Sequence, residues 1–186
     1  MDLEELHKII QGCSRNDRSC QEKLYKLYYV PLFCLCRRFF RNDHEAIESV
    51  NDGMMKVFSS MASYRPDKGK FFNWVYTIVR NTALDKFRSS VSIPSRPDLN
   101  GLADTVPDTD NRSNPILAME EKDIFILLDE LSSATRVVCN LFYIEGYSIK
   151  DISEQLKISA GTVKWHLSES RRKLRSIFER HFNERS

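Results

Sequence analysis

The stretch Tyr147 to Leu174, YSIKDISEQLKISAGTVKWHLSESRRKL, constrains this chain most, because two helical patterns meet there across a very short connection. Ser148 is placed to cap a short helix, with Asp151 three residues on as a capping-box variant, and Ile149, Ile152 and Leu156 form its inner face. That helix stops near Lys157, Ile158 and Ser159 make the connection, and Ser159 caps a long helix predicted from about Ala160 to Phe178. Turning about 100° per residue from Val163, the residues Val163, Leu167, Ser170, Leu174, Ile177 and Phe178 share one face, while Trp165 falls nearly opposite, beside Ser168, Glu169 and Arg172. Lys164, Arg171 and Arg175 form a basic flank between the two. An outward tryptophan among cations and hydrogen-bonding groups distinguishes this pair from an ordinary helical hairpin with a solvated face. It reads as a helix-turn-helix whose second helix enters the major groove N-terminal end first.

The net charge of +2 among 186 residues is too small to mark the whole chain as a nucleic-acid binder, and its distribution is more informative. From Gly161 to Ser186 seven Lys and Arg face three Glu, a balance of +4. From Arg65 to Ser90 six cations face two Asp, again +4, whereas Asp43 to Asp52 holds four acids and no Lys or Arg. This segregation predicts two nucleic-acid surfaces and one acidic docking surface. No apolar run is long enough to span a bilayer and no secretory pattern opens the sequence, so no membrane insertion is expected. Five cysteines without CxxC or Cys/His spacing read as reduced, mostly packed thiols in a cytoplasmic protein.

Nearly every periodic segment is helical, so the predicted fold class is all-α, with two small helical domains joined by a flexible linker. Helices are expected over residues 3–12, 20–41 (interrupted or kinked at Pro31), 44–61 and 70–89, and again over 116–131 and 134–145, where Gly146 caps the end. Between Ser92 and Pro115 periodicity vanishes; four prolines and four Asp against two Arg make a mildly acidic tether of about −2.

In the helix expected at 44–61, Ile47, Val50, Met54, Val57, Phe58 and Met61 point inward and Glu45, Glu48, Asp52 and Met55 point outward. An acidic face is ordinarily just solvated, but an exposed methionine among the acids favours a protein interface. Glu45 and Glu48 beside His44 lack the spacing of a metal site. In the helix expected at 70–89, Phe71, Val75, Ile78, Val79 and Thr82 point inward, leaving Asn73, Trp74, Thr77, Arg80, Asn81 and Arg88 on the outer and flanking faces. Rings for stacking, amides for base edges and cations for phosphates suit unpaired nucleic acid, although Trp74 and Tyr76 also fit the boundary of a core.

The ordered series HEAIESVNDGMMKVFSSM, YRPDKGKFFNWVYTIVRNTALDKFR, a Pro/Asp linker and LLDELSSATRVVCNLFYIEGYSIKDISEQLKISAGTVKWHLSESRRKL resembles bacterial RNA polymerase sigma factors of the extracytoplasmic-function group. The resemblance spans about residues 20–182 and is carried by the order of the segments, because the last alone also resembles the DNA-binding domain of LuxR-type regulators. It implies an N-terminal helical extension over 1–19, sigma region two over 20–90, a linker over 91–115 and sigma region four over 116–182.

By that resemblance, Glu48, Asn51 and Asp52 fall where the family grips the coiled coil of the polymerase's largest subunit, and Glu45 and Met55 join this docking face by their outward position. Trp74, Tyr76, Arg80 and Asn81 fall where the minus-10 strand is opened and read, with Thr77 and Arg88 added from the same outer and flanking faces, and the loop Tyr64 to Lys68, with Arg65, falls where a flipped base is held. Thr162, Lys164, Trp165, His166, Ser168 and Arg172 occupy the minus-35 helix, Arg171 and Arg175 joining them as DNA contacts from its basic flank, and the linker resembles the segment that passes through the polymerase's RNA path. The sequence departs from the family at Trp165 and His166, where many members carry Ser and Arg, and at Asn51 and Asp52, which replace the commoner Gln and Glu. Core RNA polymerase, duplex and melted promoter DNA and an anti-sigma protein are the implied partners. No cofactor is expected, and no general acid/base pair or metal cluster marks an enzyme.

Overall fold

Asp2, Asp17 and Asn42 each cap the start of a helix, their carboxylate or amide oxygens accepting from the backbone N–H of Glu5 (2.7 Å), Cys20 (3.0 Å) and His44 (2.8 Å). The structure, a computed structural model, describes residues 2–93 and 121–183, and every element in those segments is helical. The chain divides into two compact units, Met1–Ser89 and Ser90–Ser186. Most of the linker expected over 91–115 and the first turn of the helix expected from Ile116 lie outside the described residues.

The first unit contains α1 (Leu3–Ser14), α2 (Arg18–Arg37), α3 (Asp43–Ser59) and α4 (Phe71–Ser90), with 3₁₀ turns at Met61–Ser63 and Pro66–Lys68. Helix α1 packs on α2, burying Ile9 and Cys13. Helix α2 runs unbroken through Pro31; Tyr28, Leu32, Leu35 and Cys36 are buried around that position, and their packing holds a turn that a mid-helix proline weakens. Arg37 closes the corner into α3, donating to the carbonyls of Phe40 (2.6 Å) and Arg41 (2.8 Å) and pairing with Asp43 at 2.7 Å. Gly53 lets α3 approach α4: a Cβ there would stand 2.8 Å from a Val79 methyl and 3.0 Å from its Cα.

The inward stripe of α3 is shifted toward smaller side chains than expected, made of Ala46, Ser49, Val50, Gly53, Met54 and Val57, with Phe58 half-buried and Met61 buried in the turn that follows. Ile47 is 37% exposed and lies at the margin, because close α3–α4 packing at Gly53 rotates the buried arc toward the small residues. In α4 the buried set is Phe71, Val75, Val79, Thr82, Ala83, Leu84 and Phe87, with Ile78 only half-buried.

The second unit contains α5 (Glu121–Asp129), α6 (Ser133–Cys139), α7 (Ile149–Leu156) and α8 (Ala160–Asn183). Its core gathers Leu127, Leu128 and Leu131 with Cys139, Leu174 and Ile177. The helix expected to run to Glu145 instead changes to a π turn over Asn140–Ile144, closed by Gly146 at φ 74°. Arg136 is buried, its Nε donating to the Leu128 carbonyl (2.9 Å) and its guanidinium paired with Asp129, so it satisfies the C-terminal end of α5. The capping box at Ser148 and Asp151 is formed in both directions at 3.1 Å. Lys157 leaves α7 in the left-handed region at φ 55°, and Ser159 accepts from the Thr162 N–H at 3.0 Å to start α8.

Candidate nucleic-acid and polymerase interfaces

On α3, Glu45, Glu48, Asn51, Asp52 and Met55 are all exposed, and Met55 is 68% so. The helix therefore offers one continuous acidic face with an apolar contact at one end. The structure adds two partners that local periodicity could not reveal, because each comes from another helix. Lys86 of α4 reaches Glu48 at 2.7 Å and Asp52 at 3.9 Å, and the Tyr25 hydroxyl of α2 donates to the Asn51 side-chain oxygen at 2.7 Å. The Lys86 ammonium, by hydrogen bond and charge, holds the Glu48 carboxyl below the usual carboxylate range, and His44 contributes from 3.3 Å. Among the described residues no group of His, Cys, Asp and Glu gathers as a metal would need.

On α4 the expected single surface resolves into two rows. Trp74 is half-buried against Tyr64 and Phe71, each with its ring centroid 5.5 Å away, and Tyr64 meets Phe71 edge-on at 4.9 Å. The Tyr64 hydroxyl donates to the Gly69 carbonyl at 3.2 Å, so the loop Tyr64–Lys68 and the start of α4 share one aromatic cluster. Tyr76, two residues from Trp74, belongs to the other row: it lies 6.0 Å from Phe72, whose ring meets Tyr28 at 5.0 Å. The Arg38 guanidinium reaches the Tyr76 hydroxyl at 3.5 Å. Thr77 is exposed, but its hydroxyl donates back to the Asn73 carbonyl at 2.8 Å. Arg80 donates to the Asn81 side-chain oxygen at 3.3 Å, while Arg65 and Lys68 are exposed on the loop and Arg88 pairs with Asp85 near the end of α4.

On α8 three of the residues expected to contact the minus-35 element turn inward. Thr162 is buried, its hydroxyl 3.0 Å from that of Ser159. His166 is buried too, with its Nδ1 2.9 Å from the Thr135 hydroxyl of α6. Both lie on the same side of Val163, where His166 faces Thr135 of α6, so the buried arc is wider there than a single stripe. Arg171 is half-buried and its Nε donates to the Tyr143 hydroxyl at 2.7 Å, which commits it to the fold of its own unit. Trp165 is half-buried rather than fully displayed, its ring edge-on to His166 at 4.9 Å. Ser168, Arg172 and Arg175 are exposed, with Arg172 held as a two-pronged pair on Glu169 at 2.9 and 2.8 Å. Lys164 lines an open groove of about 520 Å³ with Ser148, Lys150, Ser153, Glu154 and Ala160, where the starts of α7 and α8 converge.

Comparison with known proteins places both units in one family. The family profile described as Sigma-70 region 2 matches residues 24–92, and that described as Sigma-70, region 4 matches residues 125–174, together more than half the chain. Curated relatives include the ECF RNA polymerase sigma factor SigK of Mycolicibacterium vanbaalenii, 23% identical, covering 92% of this chain and 88% of that protein. The ECF RNA polymerase sigma factor SigW of Bacillus subtilis is 24% identical, covering 91% and 95%. Among solved structures the chain is similar to the sigma factor RpoE in complex with the anti-sigma factor NepR from Bartonella quintana, at 20% identity and TM-score 0.46, covering 85% and 96%. The match over residues 24–92 disfavours a LuxR-type regulator, a reading that accounts only for the second unit. The chain belongs to the sigma-70 family of RNA polymerase sigma factors, in the extracytoplasmic-function group.

Proposed function

We propose that the chain docks on core RNA polymerase through the acidic face of α3, opens and captures the minus-10 strand with the aromatic surface of α4 and the loop Tyr64–Lys68, and reads the minus-35 element with the N-terminal half of α8. It acts in the cytoplasm as a binding factor with no catalytic step of its own, and an anti-sigma protein is its expected regulator by family resemblance. The observation that carries this reading is the arrangement within the first unit. An exposed acidic helix face accompanies a Tyr64–Phe71–Trp74 cluster that ties a basic loop to the next helix. Such a cluster offers a ring for stacking beside cations for phosphates, which is what a displaced single strand requires. On α8, Lys164, Trp165, Ser168, Arg172 and Arg175 remain the contact set, while Thr162, His166 and Arg171 support the helix from behind.

The test is in vitro transcription with sigma-free core polymerase on genomic fragments. Transcripts that begin at defined sites only when the protein is added are expected. Duplex binding without start-site-specific transcripts would return the protein to the class of ordinary DNA-binding regulators.

A further inference from the structure

The acidic face of α3 is not open to a partner in its entirety. Lys86, whose side chain is 26% exposed, extends from α4 to place its ammonium 2.7 Å from Glu48 and 3.9 Å from Asp52. Those two carboxylates are themselves 49% and 62% exposed and form the centre of the proposed docking face, and His44 approaches the other Glu48 oxygen at 3.3 Å. An arriving basic surface therefore meets carboxylates that already have a cation.

We infer that Lys86 is an internal competitor for the polymerase's basic docking surface, so that association proceeds by exchange of ion partners and Lys86 sets how tightly the free protein binds core. The inference rests on the α3 docking reading. Two physical effects give it a sign. Lys86 must be displaced, or its site shared, before Glu48 can serve an incoming cation, and its positive charge repels a basic partner during approach. The exchange can still run forward wherever the basic partner presents an arginine, because a guanidinium grips a carboxylate with two parallel N–H groups where Lys86 offers one point charge. The pair is solvent-exposed, so the competition is modest. Removing it changes affinity by roughly two- to five-fold, the range typical of exposed ion pairs, and acts largely through the association rate.

The experiment measures dissociation constant and association rate of the full chain with sigma-free core polymerase, for the wild type, Lys86→Met and Lys86→Arg. Each is taken alone and with Glu48→Gln and Asp52→Asn, and circular dichroism checks folding, with Lys86→Gln as substitute should Lys86→Met misfold. Lys86→Met is expected to bind roughly two- to five-fold more tightly and to associate faster. Lys86→Arg should stay near wild type, and the gain from Lys86→Met should vanish once both carboxylates are neutral. Weaker binding by Lys86→Met would overturn the inference, since Lys86 would then be holding the carboxylates in their productive positions. An equal gain in the neutralised background would overturn it as well. Wild-type binding by the doubly neutralised protein would remove the docking reading itself, an outcome distinct from either.

Discussion

Three of the five thiols are buried deeply enough to be chemically quiet: burial pushes Cys13 up to about 11 and Cys36 and Cys139 up to about 12. Because the thiolate is the nucleophile, these three carry almost none of it at neutral pH. Iodoacetamide applied to the native protein at pH 7.5 should modify Cys20 and Cys34, both half-buried, well before the others, and all five only after denaturation. Peptide mass mapping over a time course checks this, and early modification of Cys139 would mean that the second core opens readily. The packed-thiol role was legible from spacing alone, since nothing in the sequence paired the cysteines for a metal or a bridge. Which of them are buried was not legible. Cys20 lies in the first helical turn of α2, half-buried, and Cys13 is buried in the core near the end of α1, although both occupy helices.

At the scale of the helix, Trp74 and Tyr76 occupy different rows of α4 and should fail differently. Trp74→Ala removes a ring from the cluster with Tyr64 and Phe71, where stacking contributes about 1–3 kcal/mol per base. It should leave core binding intact and reduce permanganate reactivity of the minus-10 region on duplex templates, with recovery on pre-melted ones. Tyr76→Ala, which loosens packing onto Phe72 and Arg38, should produce the smaller opening defect. Equal defects on duplex and pre-melted templates would place both residues outside strand opening.

For α8, selection from randomised minus-35 sequences should shift in base preference for Trp165→Ala and Arg172→Ala. For Lys164→Ala and Arg175→Ala affinity should fall evenly and the salt slope flatten by about one unit each. His166→Ala and Arg171→Ala should act first on stability, since each loses a bond to another element, Thr135 and Tyr143 respectively. Capping chemistry made the start of α7 and the start of α8 readable to the residue, because Ser148, Asp151 and Ser159 act on neighbours three positions away. Thr162 and His166 entered the contact set through the family resemblance rather than the helical wheel, and their burial, with His166 set against Thr135 of α6, was not legible because it depends on a partner helix about thirty residues earlier in the chain. The π turn at Asn140–Ile144 has no local signature either, since an apolar run followed by Gly146 suits an α-helix equally well.

At the scale of the whole chain, each unit carries one of the two tryptophans, Trp74 in the first and Trp165 in the second, so unfolding can be followed in each separately. Arg136→Met keeps most of the buried volume but deletes the bond to the Leu128 carbonyl and the pair with Asp129, a loss of about 1.5–3 kcal/mol. In single-tryptophan variants, with Phe in place of the other, the Trp165 signal should shift to lower urea concentration while the Trp74 signal stays unchanged. A matching shift at Trp74 would mean that the units unfold as one. The two-unit organisation was visible in the sequence as a loss of periodicity after Ser92, and the helices on either side of that break as caps and stripes. The contacts from Tyr25, Lys86, Thr135 and Tyr143 were not, because each joins helices distant in sequence. Since the second unit closes its core on its own leucines, its lineage is free to diverge without burdening the first. Recombination between relatives can then shuffle taste for one promoter element against the other, and hybrid factors become a short evolutionary step.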